Sequence, residues 1–253
     1  MHLDPTAVAA GVGLIAHDTI GSTNAQALVM ARAGERGPLW ITAKRQTAGR
    51  GRRGRTWVSE PGNLYASLLL TDPASPERCA ELSFVAALAL HDAIGRRVPG
   101  LANRLALKWP NDLLIDRNKF AGILVEGERS NVVIGMGVNC AHHPGGTATP
   151  ATDLAAAGVS ATPDSLFTHL SAAMIVRLAQ WNRGAGFAVI RANWLARAAG
   201  IGKPIRVRSG DGELSGQFES LDETGRLVLR LADGTRQTVT AGDVFIGNPL
   251  ARQ

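Results

Sequence analysis

The stretch from Leu105 to Val138 constrains the fold more than any other part of this sequence. Four strand-like runs, Leu105–Trp109, Leu113–Asp116, Phe120–Glu126 and Val132–Val138, are separated only by Pro110-Asn111-Asp112 and short polar turns. Parallel neighbours need a crossover of about a dozen residues or more, so runs this close predict antiparallel pairing and argue against a regular βαβ repeat. Around this block the periodicity alternates between strand and helix. Leu14–Ile20, Leu39–Ala43 and Leu64–Thr71 read as strands, and Thr23–Ala33 and Glu77–Arg97 as helices. Thr162 as N-cap and Pro163 at the first position open another helix. Its Leu166, Phe167, Leu170, Met174, Leu178 and Trp181 recur at the three- and four-residue spacing of a core stripe. A further helix covers about Phe187 to Ala198.

After Gly200 the texture changes to short strands: Ile205–Arg208, Leu214–Leu221, Arg226–Leu231 and Arg236–Thr240. Gly210-Asp211-Gly212, Asp222-Glu223-Thr224-Gly225 and Asp233-Gly234 separate them, the turn spacing of a small β-barrel. The chain therefore divides near residue 200 into an α/β domain, 1–200, and a β-domain, 201–253.

Composition bounds the function classes. The 253 residues are 45% hydrophobic and 19% charged, which excludes a disordered or collagen-like chain. Leu82–Ile94, the most apolar run, is interrupted by Ser83, His91 and Asp92 and is too short for a bilayer. Met1-His2-Leu3-Asp4-Pro5 lacks the basic start of a secretory signal. Two cysteines, Cys79 and Cys140, fit a reducing cytoplasm and leave one long-range bridge open. The net charge is +6, and residues 44–55 alone hold six basic groups and no acid. The remaining 21 basic residues match the 21 acidic ones, so the excess is one local cluster. A protein tracking a long nucleic-acid backbone spreads its charge, whereas one cluster suits a compact anion.

That cluster contains Gly49-Arg-Gly-Arg-Arg-Gly54, which matches a dinucleotide fingerprint in form only. Arg55-Thr56-Trp57-Val58-Ser59-Glu60-Pro61 opens no helix, so the dinucleotide reading fails. What remains is a flexible loop whose glycines allow close backbone approach and whose guanidiniums suit carboxylate or phosphate. Gly21-Ser-Thr-Asn24 follows the first strand, where Thr23 with Gln26 makes a capping box. Lys108-Trp-Pro-Asn-Asp112 puts a cation and two polar side chains at a strand end. Lys119-Phe-Ala-Gly-Ile-Leu-Val-Glu126 carries Gly122 inside an apolar strand, a mark of close approach, and Gly135-Met-Gly-Val-Asn139 repeats the pattern. Cys140, His142 and His143 are near neighbours without an evident fourth ligand, and no metal is assigned to them.

Taken in order, Gly21-Ser-Thr-Asn24, Gln46-Thr-Ala-Gly-Arg-Gly-Arg-Arg-Gly-Arg-Thr-Trp57, Lys108–Asp112, Lys119–Glu126 and Gly135–Asn139 resemble the motifs of the biotin–protein ligase family. The resemblance implies an α/β (α+β) fold related to lipoate ligases, a mixed sheet with flanking helices, plus an SH3-like C-terminal barrel. It makes 1–200 the catalytic biotin- and ATP-binding domain. Twenty residues before Gly21 are too few for the winged helix of repressor members, so no DNA-binding domain is expected. The implied reaction forms biotinyl-5′-AMP from biotin and ATP with Mg²⁺, then biotinylates a lysine of a biotin carboxyl carrier domain. A membrane has no part in it, and a homodimer is compatible with it.

The resemblance assigns Ser22, Thr23, Asn24 and Gln46 to biotin, with Gly122 admitting it to the backbone. Arg50, Gly51 and Arg52 close over biotin and the adenylate linkage. Lys119 meets the biotin carboxylate and the α-phosphate, and Lys119, Arg52 and Asp112 form the catalytic set. Trp57 and Asn139 lie on the nucleotide side and Asn111 near the phosphates, with Asp112 handling Mg²⁺ or the incoming lysine. Two alternatives remain open: a lipoate or octanoate ligase of the same fold, and a nucleic-acid-binding protein gripping RNA with the Arg/Gly loop.

Overall fold

Short turns force the central strands into antiparallel register, and the main sheet grows outward from them. The structure, a computed structural model, describes residues 1–95, 101–147, 149–210 and 212–246. In chain order the elements begin with α1 (Pro5–Ala9), β1 (Gly13–Ile20), α2 (Thr23–Arg32), β2 (Leu39–Gln46) and β3 (Leu64–Thr71). Then come α3 (Pro76–Cys79), α4 (Leu82–Gly95), β4 (Leu105–Lys108), β5 (Asp112–Ile115), β6 (Asn118–Glu128) and β7 (Asn131–Val138). The chain continues through α5 (Pro163–Trp181), α6 (Phe187–Leu195), β8 (Pro204–Ser209), β9 (Gly212–Leu221), β10 (Leu227–Arg230), β11 (Arg236–Val239) and β12 (Asp243–Ile246).

The main sheet has the order β1-β2-β3-β7-β6-β5-β4, with β1 and β2 parallel and the other pairs antiparallel. Strand alternation then sorts its two faces. On β3, Leu64, Ala66, Leu68 and Leu70 join the large core with α4 and α5, while Leu69 joins Ala27 of α2, Ile41 and Val133 on the opposite side. Tyr65 and Ser67 share that second face, so a polar residue inside an apolar strand is aimed at the start of α2. Helix α4 is buried nearly all round because α5, α6 and the sheet enclose it.

Three local expectations change. The helix read over Glu77–Arg97 breaks between α3 and α4. There Glu81, 2% exposed, accepts hydrogen bonds from Trp181 Nε1 at 2.6 Å and Arg78 at 2.9 Å, and the turn supplies its position. Arg96 and Arg97 lie outside the described residues, as do Asp211 and 247–253. The cap of α2 is Ser22, whose Oγ accepts from Ala25 N; Thr23 is already helical, and its N–H donates to Gln46 Oε1 at 2.8 Å. Strand β12 and the short α1 were not anticipated; β12 is only four residues long and pairs with β8 across a long connection.

The second sheet is antiparallel, in the order β11-β10-β9-β8-β12. Trp109 Nε1 donates to Gly225 O at 3.0 Å in a buried contact that ties it to the main domain. Gly225 has φ +85, and a Cβ there would approach Phe84 to 2.8 Å, so the β9–β10 turn needs glycine to sit against α4. Cys79 and Cys140 are both free thiols. No helix among the described residues is long and apolar enough to cross a membrane.

Candidate active site

At one end of the main sheet β2 and β7 finish, β3 and β6 begin, and α2 presents its N-terminus. A cavity of about 450 Å³ opens there. It is lined by every residue given a role in the site from the sequence: Ser22, Thr23, Asn24, Gln46, Arg50, Gly51, Arg52, Trp57, Asn111, Asp112, Lys119, Gly122 and Asn139. The sequence motifs, up to about 118 positions apart, thus converge on one space because they all sit at this end of the strands.

The inner part is neutral and densely hydrogen-bonded. Ser67 Oγ lies 2.7 Å from Thr23 Oγ1 and 2.6 Å from Asn24 Oδ1, and Thr23 Oγ1 lies 3.1 Å from Gln46 Oε1. Those three contacts share two hydroxyl protons, so the chain keeps an acceptor site open for an outside N–H. Asn24 Nδ2 donates to Glu126 Oε2 at 2.8 Å and Leu124 O at 3.3 Å, which fixes its amide orientation. Gly135 makes this possible, since any Cβ there would overlap the Asn24 side chain.

The floor beside it is a glycine pair. Gly122 and Gly137 stand opposite each other on β6 and β7, and Trp57 lies across them. A Cβ would meet its indole at 3.0 Å from Gly122 and at 2.5 Å from Gly137. The close approach that Gly122 signals is therefore to Trp57 here. The indole Nε1–H is buried without a hydrogen-bond partner among the described residues, an unpaired donor of the kind that costs about 1–3 kcal/mol.

The outer part is cationic. Lys119 Nζ lies 2.6 Å from Asp112 Oδ1 and 5.4 Å from the Trp57 ring centroid. Arg52 donates to Asn111 Oδ1 at 3.0 Å, and Asn111 Nδ2 donates to Ile123 O at 2.7 Å. Burial holds the Arg52 guanidinium below its usual range, with Asp243 and Asp112 opposing and the neighbouring Arg53 and Arg55 reinforcing the shift. The Arg/Gly segment is a tight hairpin rather than an unstructured loop. Gly51 N donates to Arg55 O at 2.7 Å, Trp57 N to Gly49 O at 2.9 Å, and Arg53 with Gly54 turns through positive φ. Its charge is met by acids that are distant in sequence or flank the segment. Arg50 pairs with Glu126 at 2.8 Å, Arg45 with Glu60 at 3.1 Å, and Lys44 with Asp18 at 2.7 Å. Arg53 and Arg55 both engage Asp243 of the second sheet.

On the far side the segment after β7 returns to the site. Asn139 Nδ2 donates to Thr152 O at 3.0 Å, Lys119 N to Pro150 O at 2.8 Å, and Thr152 N to Lys119 O at 2.9 Å. Its neck is closed by Asn63, whose Oδ1 accepts from Cys140 N and Ala141 N, and by His143 against Asp153 at 2.6 Å. The site also recruits residues that were given no role in advance: Ser67, Lys108, Arg208 and Asp243. Lys108 had a readable signal as the first letter of its motif; Ser67, inside an apolar strand, and Asp243, on an unanticipated strand, had none.

Comparison with known proteins agrees with this architecture. The model of the biotin/lipoate A/B protein ligase family matches residues 20–140, and that of the biotin protein ligase C-terminal domain matches 200–247. A biotin–[acetyl-CoA-carboxylase] ligase of Paracoccus denitrificans is 44% identical over 89% of this chain and 97% of its own length. The Mycobacterium tuberculosis ligase of the same name is 34% identical over 88% of this chain and 85% of that protein. The solved structure of the Aquifex aeolicus biotin protein ligase, in complex with biotin and ATP, shares the fold with a TM-score of 0.80. That match covers 93% of this chain and 99% of the other at 23% identity. With both modules matched in order and a near full-length relative at this identity, the chain belongs to the biotin protein ligase family.

Proposed function

We propose that the chain is an ATP-dependent biotin protein ligase acting in two steps, with residues 1–200 as its catalytic domain. First, a carboxylate oxygen of biotin attacks the α-phosphorus of ATP; the bond from that phosphorus to the bridging β-oxygen breaks, giving biotinyl-5′-AMP and pyrophosphate. Second, the neutral ε-amine of a lysine on a biotin carboxyl carrier domain attacks the acyl carbon. The acyl–phosphate bond breaks, AMP leaves and the amine gives up a proton. The observation that carries this reading is the joining, in one cavity, of a neutral buried hydrogen-bond network to a cluster of cations.

Biotin's cyclic urea offers two N–H donors and one carbonyl acceptor, which suit the Ser22, Thr23, Asn24 and Gln46 end. Lipoate's dithiolane has no such groups and would leave the network unpaired, the stronger form of discrimination. Two anions must meet for the first step, so Lys119 serves the biotin carboxylate and the α-phosphate, stabilising charge as it develops at phosphorus. Arg50, Gly51 and Arg52 cover the mixed anhydride and keep water from it. Trp57, with its free Nε1–H, and Asn139 take the nucleotide side, and Asn111 steadies Arg52. Asp112 holds Lys119 at rest. Once phosphate draws Lys119 away, its carboxylate is free to receive the incoming ammonium.

Magnesium enters with ATP as part of the substrate. The Asp112 carboxylate faces two ammonium groups and Asp243 binds two guanidiniums through Oδ2, so each carboxylate already sits among cations that repel a resident Mg²⁺. The direct test is ATP–pyrophosphate exchange with MgATP and either biotin or lipoate. Biotin-dependent exchange is expected. Exchange with lipoate alone would reassign the substrate, and silence with both from folded protein would remove the activation step.

A further inference from the structure

Lys108 closes β4 with a side chain that is 9% exposed. No hydrogen-bond acceptor reaches its ammonium among the described residues. The nearest carboxylate oxygen is Asp112 Oδ2 at 3.9 Å, and Asp112 spends its other oxygen on Lys119 at 2.6 Å. An ammonium has three donors and strong hydration, so enclosing it with little access to water and no acceptor works against folding. Burial pushes its pKa down; Asp112 opposes that, while Lys119 and Arg55 add to it. Nothing in the packing calls for this charge, since an apolar chain of the same length would fill the space.

What the ammonium does face is the cavity. It shares Asp112 with Lys119 on one side and feels Arg55 and Asp243 of the rim on the other. The activation step proposed above needs a cation in such a place. Lys119 is committed to the carboxylate and the α-phosphate. All but one of the negative charges that biotin and ATP bring in depart together on pyrophosphate. A leaving group of that charge leaves faster when a fixed cation in a water-poor site meets the charge as it accumulates.

Resting on that reading of the site, we propose that Lys108 is a further catalytic cation, binding the β- and γ-phosphoryl groups of ATP and stabilising pyrophosphate as it departs. It acts in the first step only; AMP, not pyrophosphate, leaves in the second.

The test compares the intact wild-type enzyme with Lys108→Met and Lys108→Arg. Exchange is measured in both directions with inorganic pyrophosphate as the probe, alongside biotin affinity, thermal stability and single-turnover transfer from supplied biotinyl-5′-AMP to a carrier domain. For Lys108→Met the expected result is a Tm equal to or above wild type, unchanged biotin affinity and unchanged transfer. Exchange should fall by about 100-fold with the KM for pyrophosphate raised by about tenfold, and Lys108→Arg should recover part of the loss. An unchanged pyrophosphate KM overturns the proposal, as does equal loss of the transfer step, which would make Lys108 a partner of Asp112 in acyl transfer. If Lys108→Met does not fold, inorganic pyrophosphate must still raise the wild-type Tm and do so less for Lys108→Arg, or the proposal falls. Absence of biotin-dependent exchange in the wild type would instead sink the ligase reading itself.

Discussion

The two ends of the cavity are built on opposite physical terms. The inner end is hydroxyls and amides, with Ser67 fully buried and Thr23 and Asn24 each 4% exposed, and with its internal hydrogen bonds specified by position. Among the described residues the outer end is a group of cations held by fewer anions, with one buried lysine lacking a hydrogen bond and one carboxylate serving two arginines. A neutral network recognises a ligand by the pattern of its donors and acceptors and rejects one that leaves it unpaired. Surplus fixed charge instead acts on whatever charge develops beside it, and so favours a transition state over a bound substrate. The division predicts that inner substitutions change biotin binding, whereas outer ones leave biotin affinity nearly intact and change adenylation and the handling of the phosphates.

The largest effect is expected at Lys119. Lys119→Ala should slow adenylate formation by about 10²–10³-fold, with biotin affinity changed less than about fivefold. Pre-steady-state adenylation and calorimetric biotin titration check the split, and equal loss in both would merge the two ends. Ser67→Ala comes next. It removes the hydroxyl that links Thr23 to Asn24 and should weaken biotin binding about tenfold at a stability cost of about 1–2 kcal/mol. The adenylation rate at saturating biotin should hold, as stopped-flow at high biotin would show.

A smaller effect is expected at the rim. Asp243→Asn releases Arg53 and Arg55 from the second sheet, and a part-exposed pair of this kind is worth about 1 kcal/mol. The KM for ATP should therefore rise about fivefold, read from exchange at varied ATP. Burial pushes the Asp243 pKa up, but the Arg55 hydrogen bond and the Arg55, Arg53 and Arg52 charges outweigh it and hold the carboxyl below its usual range. Because the folded value is the depressed one, the latch is complete above the unfolded carboxylate value of about 3.9 and is lost only as pH falls through the folded value. Between pH 5 and 8 the contribution of this pair to exchange should be constant, and the wild type should lose its advantage over Asp243→Asn only in stronger acid. Glu126 should give the smallest change. It takes Asn24 from the inner end and Arg50 from the outer end, both at 2.8 Å. Glu126→Gln should cost about threefold in biotin affinity. Combined with Lys119→Ala it should show coupling, whereas Ser67→Ala with Lys119→Ala should be near additive; thermodynamic cycles on exchange rates decide.

Much of the main sheet was legible because its signals are local. Leu64–Thr71 was read with the bounds that β3 has, and the close spacing after Leu105 specified antiparallel neighbours. Thr162 and Pro163 marked the start of α5 through a cap that needs only adjacent residues. The break at Glu81 was not legible, since its cause is Trp181, a hundred positions away. The cap of α2 was misplaced by one residue because Gln46, from another strand, takes the Thr23 N–H that a capping box would claim.

The site divides the same way. The sequence by itself determined which residues could do chemistry: an arginine-glycine loop, a lysine at the start of β6, polar residues at a helix entrance and glycines in the strands. Each is a matter of residue type and near neighbours. Only the tertiary structure decided that Gly122 and Gly137 make room for Trp57, that Ser67 joins Thr23 to Asn24, and that Glu126 and Asp243 offset a segment that contains no acid of its own. The physical reason is range. Capping, turn chemistry and strand alternation act over a few residues of chain. A hydrogen bond or an ion pair depends on distance in space, which the order of residues leaves open until the sheet has brought its strand ends together.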